Sequence, residues 1–143
     1  MKIQMEIKKA IYSKYQASTL WTVDKVPLYL DHVPASTSFP FIVVHPISSN
    51  NTMAMPSPIV SNTTGWDYVD GIWQFAIHSN DRQHQDLEDI VDKLEDLYHR
   101  QTLPTANNVT HIATISVDQK TTFWDALLKI WSIYMSFRIL AGR

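Results

Sequence analysis

Asp70-Gly71-Ile72-Trp73-Gln74-Phe75-Ala76-Ile77-His78 is the stretch whose reading decides the fold. Its large apolar side chains stand at 73, 75 and 77, against Gly71, Gln74, Ala76 and His78. That period of two predicts a central, half-buried strand. Ser79-Asn80-Asp81 follows with side-chain oxygens suited to the free N–H groups of a helix start. From Arg82 to Arg100 the period becomes helical, with Leu87, Ile90, Val91, Leu94, Leu97 and Tyr98 at steps of three and four. Glu88, Asp89, Asp92, Lys93, Glu95 and Asp96 take the other side. One face of this helix is expected on the sheet and the other in water.

Working outward, Thr102-Leu103-Pro104 stops the helix and residues 105–108 form a turn. A strand is predicted over Val109–Val117, where Val109, His111, Ala113, Ile115 and Val117 alternate with Thr110, Ile112, Thr114 and Ser116. Asp118–Asp125 reads as a loop carrying an exposed Phe123-Trp124 pair. Ala126–Leu140 satisfies a helical pattern as well, but Trp131, Ile133, Met135, Phe137 and Ile139 alternate with Ser132, Tyr134, Ser136 and Arg138, which assigns a long closing strand. Toward the N-terminus, Phe39-Pro40-Phe41-Ile42-Val43-Val44-His45 is a buried strand closed at Pro46. Pro27–Val33 is a short strand for which Pro34 predicts an edge or terminal position. Ile3, Ile7, Ala10, Ile11, Tyr15 and Leu20 set a first helical stripe ending near Ala17.

Between the strands, Ser48–Trp66 gathers serine, threonine, asparagine, Pro56 and Pro58 around Met53, Met55, Ile59 and Val60. A loop this long is functional or flexible, and its apolar residues need burial, either against a partner or on the chain's own core. The expected fold class is α+β. A mainly antiparallel sheet of about five strands carries an N-terminal helix and a central amphipathic helix on one face.

The chain of 143 residues fits a single domain over 1–143, and 45% hydrophobic against 18% charged residues is a globular balance. A formal charge of -2 brings no general attraction to nucleic acid. Lys2, Lys8, Lys9 and Lys14, interleaved with Glu6, read as a solvated helix face. The absence of cysteine excludes disulfides and thiol chemistry. Asn50-Asn51-Thr52, Asn62-Thr63-Thr64 and Asn108-Val109-Thr110 match the glycosylation pattern, but the N-terminus lacks the apolar core of a signal peptide, so they are read as chance matches. No apolar run approaches the ~20 residues that cross a bilayer, and a soluble protein with no membrane partner is expected.

Catalytic signatures are missing. The six histidines form no His-x-x-x-His pair and no His-Glu-x-x-His motif: His32, His45 and His111 sit singly on strands, and His78, His84 and His99 flank the central helix. Asp86, Glu88, Asp89, Asp92, Glu95 and Asp96 lie on one solvated helix side, not in a cleft. Three glycines leave no phosphate-cradling loop, and no Gly-x-Ser-x-Gly elbow occurs. Neither an enzyme nor a cofactor is expected. Apolar surface remains: Trp21, Trp66, Phe123 and Trp124 fall in or beside predicted loops, where aromatic groups anchor interfaces or tuck under a neighbouring loop. With Met53, Met55, Ile59 and Val60 they are the candidate interface residues.

An N-terminal helix, a Phe39-Pro40-Phe41-Ile42-Val43-Val44 strand, a loop, a Trp73-Gln74-Phe75-Ala76-Ile77-His78-Ser79 strand feeding the helix Asp86–Tyr98, and two closing strands resemble the tail terminator (tail completion) proteins of tailed bacteriophages. The resemblance spans most of the chain, and only the long Ser48–Trp66 segment departs from the simple hairpin expected there. It implies a small α+β subunit that assembles into a ring, usually of six, which caps the tail tube and joins it to the head connector or adaptor. The implied partners are further copies of the chain, the tail tube protein and the connector. DNA would pass through the ring without specific binding. The implied location is the tail or neck of the virion, with assembly in the host cytoplasm. The acidic helix side, Glu88, Asp89, Asp92, Glu95 and Asp96, would face the channel or form outer surface. The alternatives are a head completion or connector subunit of the same neck, a small hydrolase or nucleotide-binding protein, and a host-directed interaction protein.

Overall fold

A computed structural model describes residues 2–35, 39–53, 67–80, 85–103 and 111–142. The order of elements is α1 (Lys2–Gln16), α2 (Thr19–Thr22), β1 (Leu28–Leu30), β2 (Phe41–Met53), β3 (Asp67–Ser79), α3 (Gln85–Tyr98), β4 (His111–Asp125) and β5 (Ile130–Gly142). The strands form one five-stranded sheet in the order β1-β2-β3-β5-β4. All pairings are antiparallel except β1 with β2, which is parallel. The expected α+β class, with one mainly antiparallel sheet, is what the chain forms.

The alternation in β3 builds the core. Trp73, Phe75 and Ile77 pair with Phe137, Met135 and Ile133 of β5, and on the other side Phe75 and Ile77 pair with Val44 and Ile42 of β2. Leu28 and Leu30 extend the same row onto β1. Ile7, Ala10, Ile11 and Tyr15 of α1 and Leu87, Ile90, Val91, Leu94 and Tyr98 of α3 close over this face in one buried cluster. Two buried hydroxyls tie the layer together. The Tyr15 hydroxyl donates to the Val26 carbonyl and the Tyr98 hydroxyl to the Ile11 carbonyl, each at 2.8 Å.

Several boundaries differ from the expectations: β1 is only Leu28–Leu30, and β3 starts three residues earlier, at Asp67. β2 does not stop at Pro46 but runs on to Met53 through a register shift between Pro46 and Ser48. Among the described residues β1 covers only Ile42–Val44, so Pro46 lies on the outer edge, where a missing N–H costs no ladder bond. The segment between strands accordingly narrows to residues 54–66, which lie outside the described residues. Asp118–Asp125 is strand, not loop: β4 continues to Asp125 across a register shift between Val117 and Lys120, and that bulge breaks the alternation that marked its first half. β5 begins at Ile130, and residues 126–129 are the turn joining it to β4. The first helical stripe is split, with Leu20 carried into the core by the separate turn α2.

Candidate functional site

The β4–β5 turn is built by its flanking residues. The Asp125 carboxylate oxygen Oδ1 accepts the backbone N–H of Leu127 at 3.0 Å and of Leu128 at 3.1 Å. Such bonds from an aspartate to the backbone just after it fix a tight turn. Lys129 then takes φ 55°, the left-handed conformation that reverses the chain. Below the turn, Trp124 and Trp131 sit opposite each other in the ladder with ring centroids 4.6 Å apart. Leu127 and Leu128 consequently project into water, 94% and 68% exposed, beside Phe123 at 54% and Trp124 at 38%.

From this tip an aromatic row crosses the face opposite the helices. Phe123 of β4, Ser132 of β5, His78 of β3 and Phe41 of β2 stand in line across four strands. His78 Nδ1 and Ser132 Oγ share a hydrogen bond at 2.7 Å, and the His78 ring lies 5.1 Å from Phe41 and 6.2 Å from Tyr134. Tyr29 of β1 continues the row against Phe41. Burial pushes the pKa of His78 below its ordinary value, so the ring is neutral near pH 7. Two hollows flank the tip. One of about 260 Å³ lies between Phe39, Phe41, His78, Phe123, Leu128 and Tyr134, and one of about 650 Å³ lies between Phe39, Trp124, Leu128, Ile130 and Trp131. Leu128 lines both.

The structure thus places Phe123 and Trp124 on opposite faces of β4, just below two leucines that sequence reasoning assigned to the closing strand. The signal for the turn was present: Asp125 and Lys129 bracket an apolar insertion, with a tryptophan one residue before Asp125 and another two residues after Lys129. Trp21 is elsewhere, half-buried at the core margin with its ring 6.0 Å from Tyr12 and 6.3 Å from Tyr15. Met53 ends β2, while Met55, Ile59, Val60 and Trp66 lie outside the described residues. On α3, Glu88, Asp89, Asp92 and Asp96 are exposed, whereas Glu95 is half-buried and paired with Lys120 of β4 at 2.7 Å. Lys93 interrupts the acidic side and pairs with Asp24 at 2.7 Å. Among the described residues no group of three or more His, Asp or Glu side chains is placed to hold a metal, and no helix is long and apolar enough to cross a membrane.

No protein-family model and no curated protein matches this sequence. Among solved structures, the fold is similar to that of a chain described as "Virion of native gene transfer agent (GTA) particle". The match covers 98% of this chain and 97% of that one, with a TM-score of 0.70 and 10% sequence identity. The likeness is one of fold, and it runs the length of both chains.

Proposed function

We propose that this chain is a structural virion protein that works by binding rather than turnover, and that it is a tail terminator subunit: part of a ring, of six by the resemblance, that caps the tail tube and meets the head connector. The observation that carries the reading is coverage. The fold matches a virion chain over 98% of this chain and 97% of the other, so the likeness is not confined to a shared supersecondary motif. The order of helix, aromatic-proline strand, strand-to-helix step and closing hairpin that resembles tail terminators supports the finer role. An exposed apolar tip on a rigid turn supports a role in contact.

Ring closure explains how modest contacts suffice. Each subunit presents two different patches, and closing a head-to-tail ring makes the final contact intramolecular, so weak pairwise affinities add to a stable assembly. The candidate interface residues of the 54–66 segment, together with Phe123 and Trp124, are assigned to these contacts and to the tube. The exposed carboxylates of α3, turned to the channel, would repel DNA in transit; turned outward, they would keep rings apart.

The test is the mass of the purified protein by light scattering, alone and with tail tubes, with negative-stain imaging of the tube ends. A ring in solution, or a cap on tube ends, supports the terminator role. Binding to the head connector with tube ends left bare would replace it with the head-completion role. A protein that ignores both would overturn the reading.

A further inference from the structure

We infer that the hollow of about 260 Å³ on the sheet face opposite the helices binds the head group of a quaternary ammonium compound. Phe123 and Asp125, two residues apart on β4, share that face with Ser132 and Tyr134 of β5. Trp124 lies on the other face and is no part of the site. Phe39 and Phe41, at the start of β2, supply the opposite wall. The rings do not lie in one flat stack. Phe39 and Phe41 are inclined by 35° and Phe41 and His78 by 42°, while Tyr134 stands at 85° to His78, so the lining is concave.

The chemistry of the lining selects the ligand. Four benzene rings line the hollow, and the negative face of such a ring attracts a cation. The Asp125 carboxylate lines it too. Both of its turn bonds go to Oδ1 and come from neutral backbone N–H groups, so the carboxylate keeps its charge. Among the described residues no lysine or arginine lines the hollow, and His78 is neutral near pH 7. An anion meets only repulsion there, and a neutral apolar group would strip water from the carboxylate with nothing in return. A cation with an apolar surface suits both the rings and the charge. A quaternary ammonium has no N–H to leave unpaired, whereas a lysine ammonium brings three donors and strongly held water. At about 260 Å³ the hollow is below the ~300–1,000 Å³ of sites for drug-sized ligands, which fits a head group. With Phe123 54% exposed the site is open, and binding of roughly millimolar order is expected.

The probe is choline chloride, titrated at constant ionic strength while the His78 and Tyr134 ring resonances are followed by NMR. Choline should shift both, and its carbon isostere, with a tert-butyl group in place of the trimethylammonium, should bind at least tenfold more weakly. Asp125→Asn keeps Oδ1 as the turn acceptor and removes the charge. That variant and Phe123→Leu should each weaken choline binding at least threefold, with the thermal midpoint confirming that they fold. Leu127→Ser, outside the hollow, should leave binding unchanged. Retention on phosphatidylcholine but not phosphatidylglycerol vesicles would identify a lipid head group as the source, and choline binding without retention a free compound. Ring resonances unmoved by choline, an isostere that binds equally well, or indifference to Asp125→Asn overturns the inference. Neither tail tube nor connector enters this titration, so its outcome is separate from that of the ring reading.

Discussion

Raising the pH from 9 to 11 should destabilise this fold through two tyrosines. Tyr15 and Tyr98 are buried, and each donates its hydroxyl to a backbone carbonyl, so ionisation would remove a donor and leave an anion in an apolar layer. Burial raises both pKa values. The negative charge of Asp24 adds to the effect at Tyr15, and Tyr15 adds to it at Tyr98. The unfolded chain releases both protons near the ordinary value of about 10 while the folded chain keeps them. The folded state then binds more protons, and stability falls as pH rises. At pH 11 each tyrosine contributes a loss on the order of 1 kcal/mol relative to pH 9. Lys14 acts in the opposite direction, because burial lowers its pKa and its folded form releases a proton first, but its partial exposure keeps that effect small. Urea midpoints at the two pH values give the measurement. The Tyr15→Phe/Tyr98→Phe double variant should lose about 0.5–1.5 kcal/mol per hydrogen bond at neutral pH and then show a flatter alkaline limb. A double variant that loses as much between pH 9 and 11 as the parent would refute the reasoning.

Asp125→Ala removes the acceptor for the Leu127 and Leu128 N–H groups, which water can still reach; the expected cost is about 1 kcal/mol in urea unfolding, accompanied by a weaker near-ultraviolet signal from the tilted Trp124–Trp131 pair. His78 makes the opposite pH prediction from the tyrosines. Its folded pKa lies below the unfolded value near 6.5, so its contribution is complete above pH 6.5 and is lost as pH falls below it. His78→Gln should flatten that acid limb, and a ring resonance titrating at or above 6.5 in the folded protein would contradict the assignment.

What was legible in the sequence follows from where the physics is local. β3 and α3 were readable because burial on one face imposes a period on the residues themselves: Trp73, Phe75 and Ile77 in one element, Leu87, Ile90, Leu94 and Tyr98 in the next, all now in one cluster. The parallel pairing of β1 with β2 was not readable, because register against a non-adjacent face leaves no mark in a three-residue strand. The extension of β2 through Pro46 was hidden because proline argues against a strand only where a neighbour needs its N–H, and which edge is free is a property of the whole sheet. β4 failed at its bulge: once two residues slip between Val117 and Lys120, alternation read from one side has the wrong phase on the other. The aromatic row was equally invisible, since Tyr29, Phe41, His78 and Phe123 come from four strands and meet only through register.

The tip separates what the fold needs from what something outside it needs. Asp125 and Lys129 shape the turn through a carboxylate and a left-handed backbone, and neither requires apolar neighbours. Polar residues at 127 and 128 would close the same hairpin, and at 94% and 68% exposure the leucines contribute little to the core. Exposed leucine beside exposed phenylalanine and tryptophan instead lowers solubility, a disadvantage that single scattered residues do not carry. Placing four such side chains within residues 123–128, on a turn held by its own hydrogen bonds, concentrates that disadvantage where a rigid surface can recover it by contact. The core accounts for the helix-covered face of the sheet; the exposed tip is what the proposed role in contact would use.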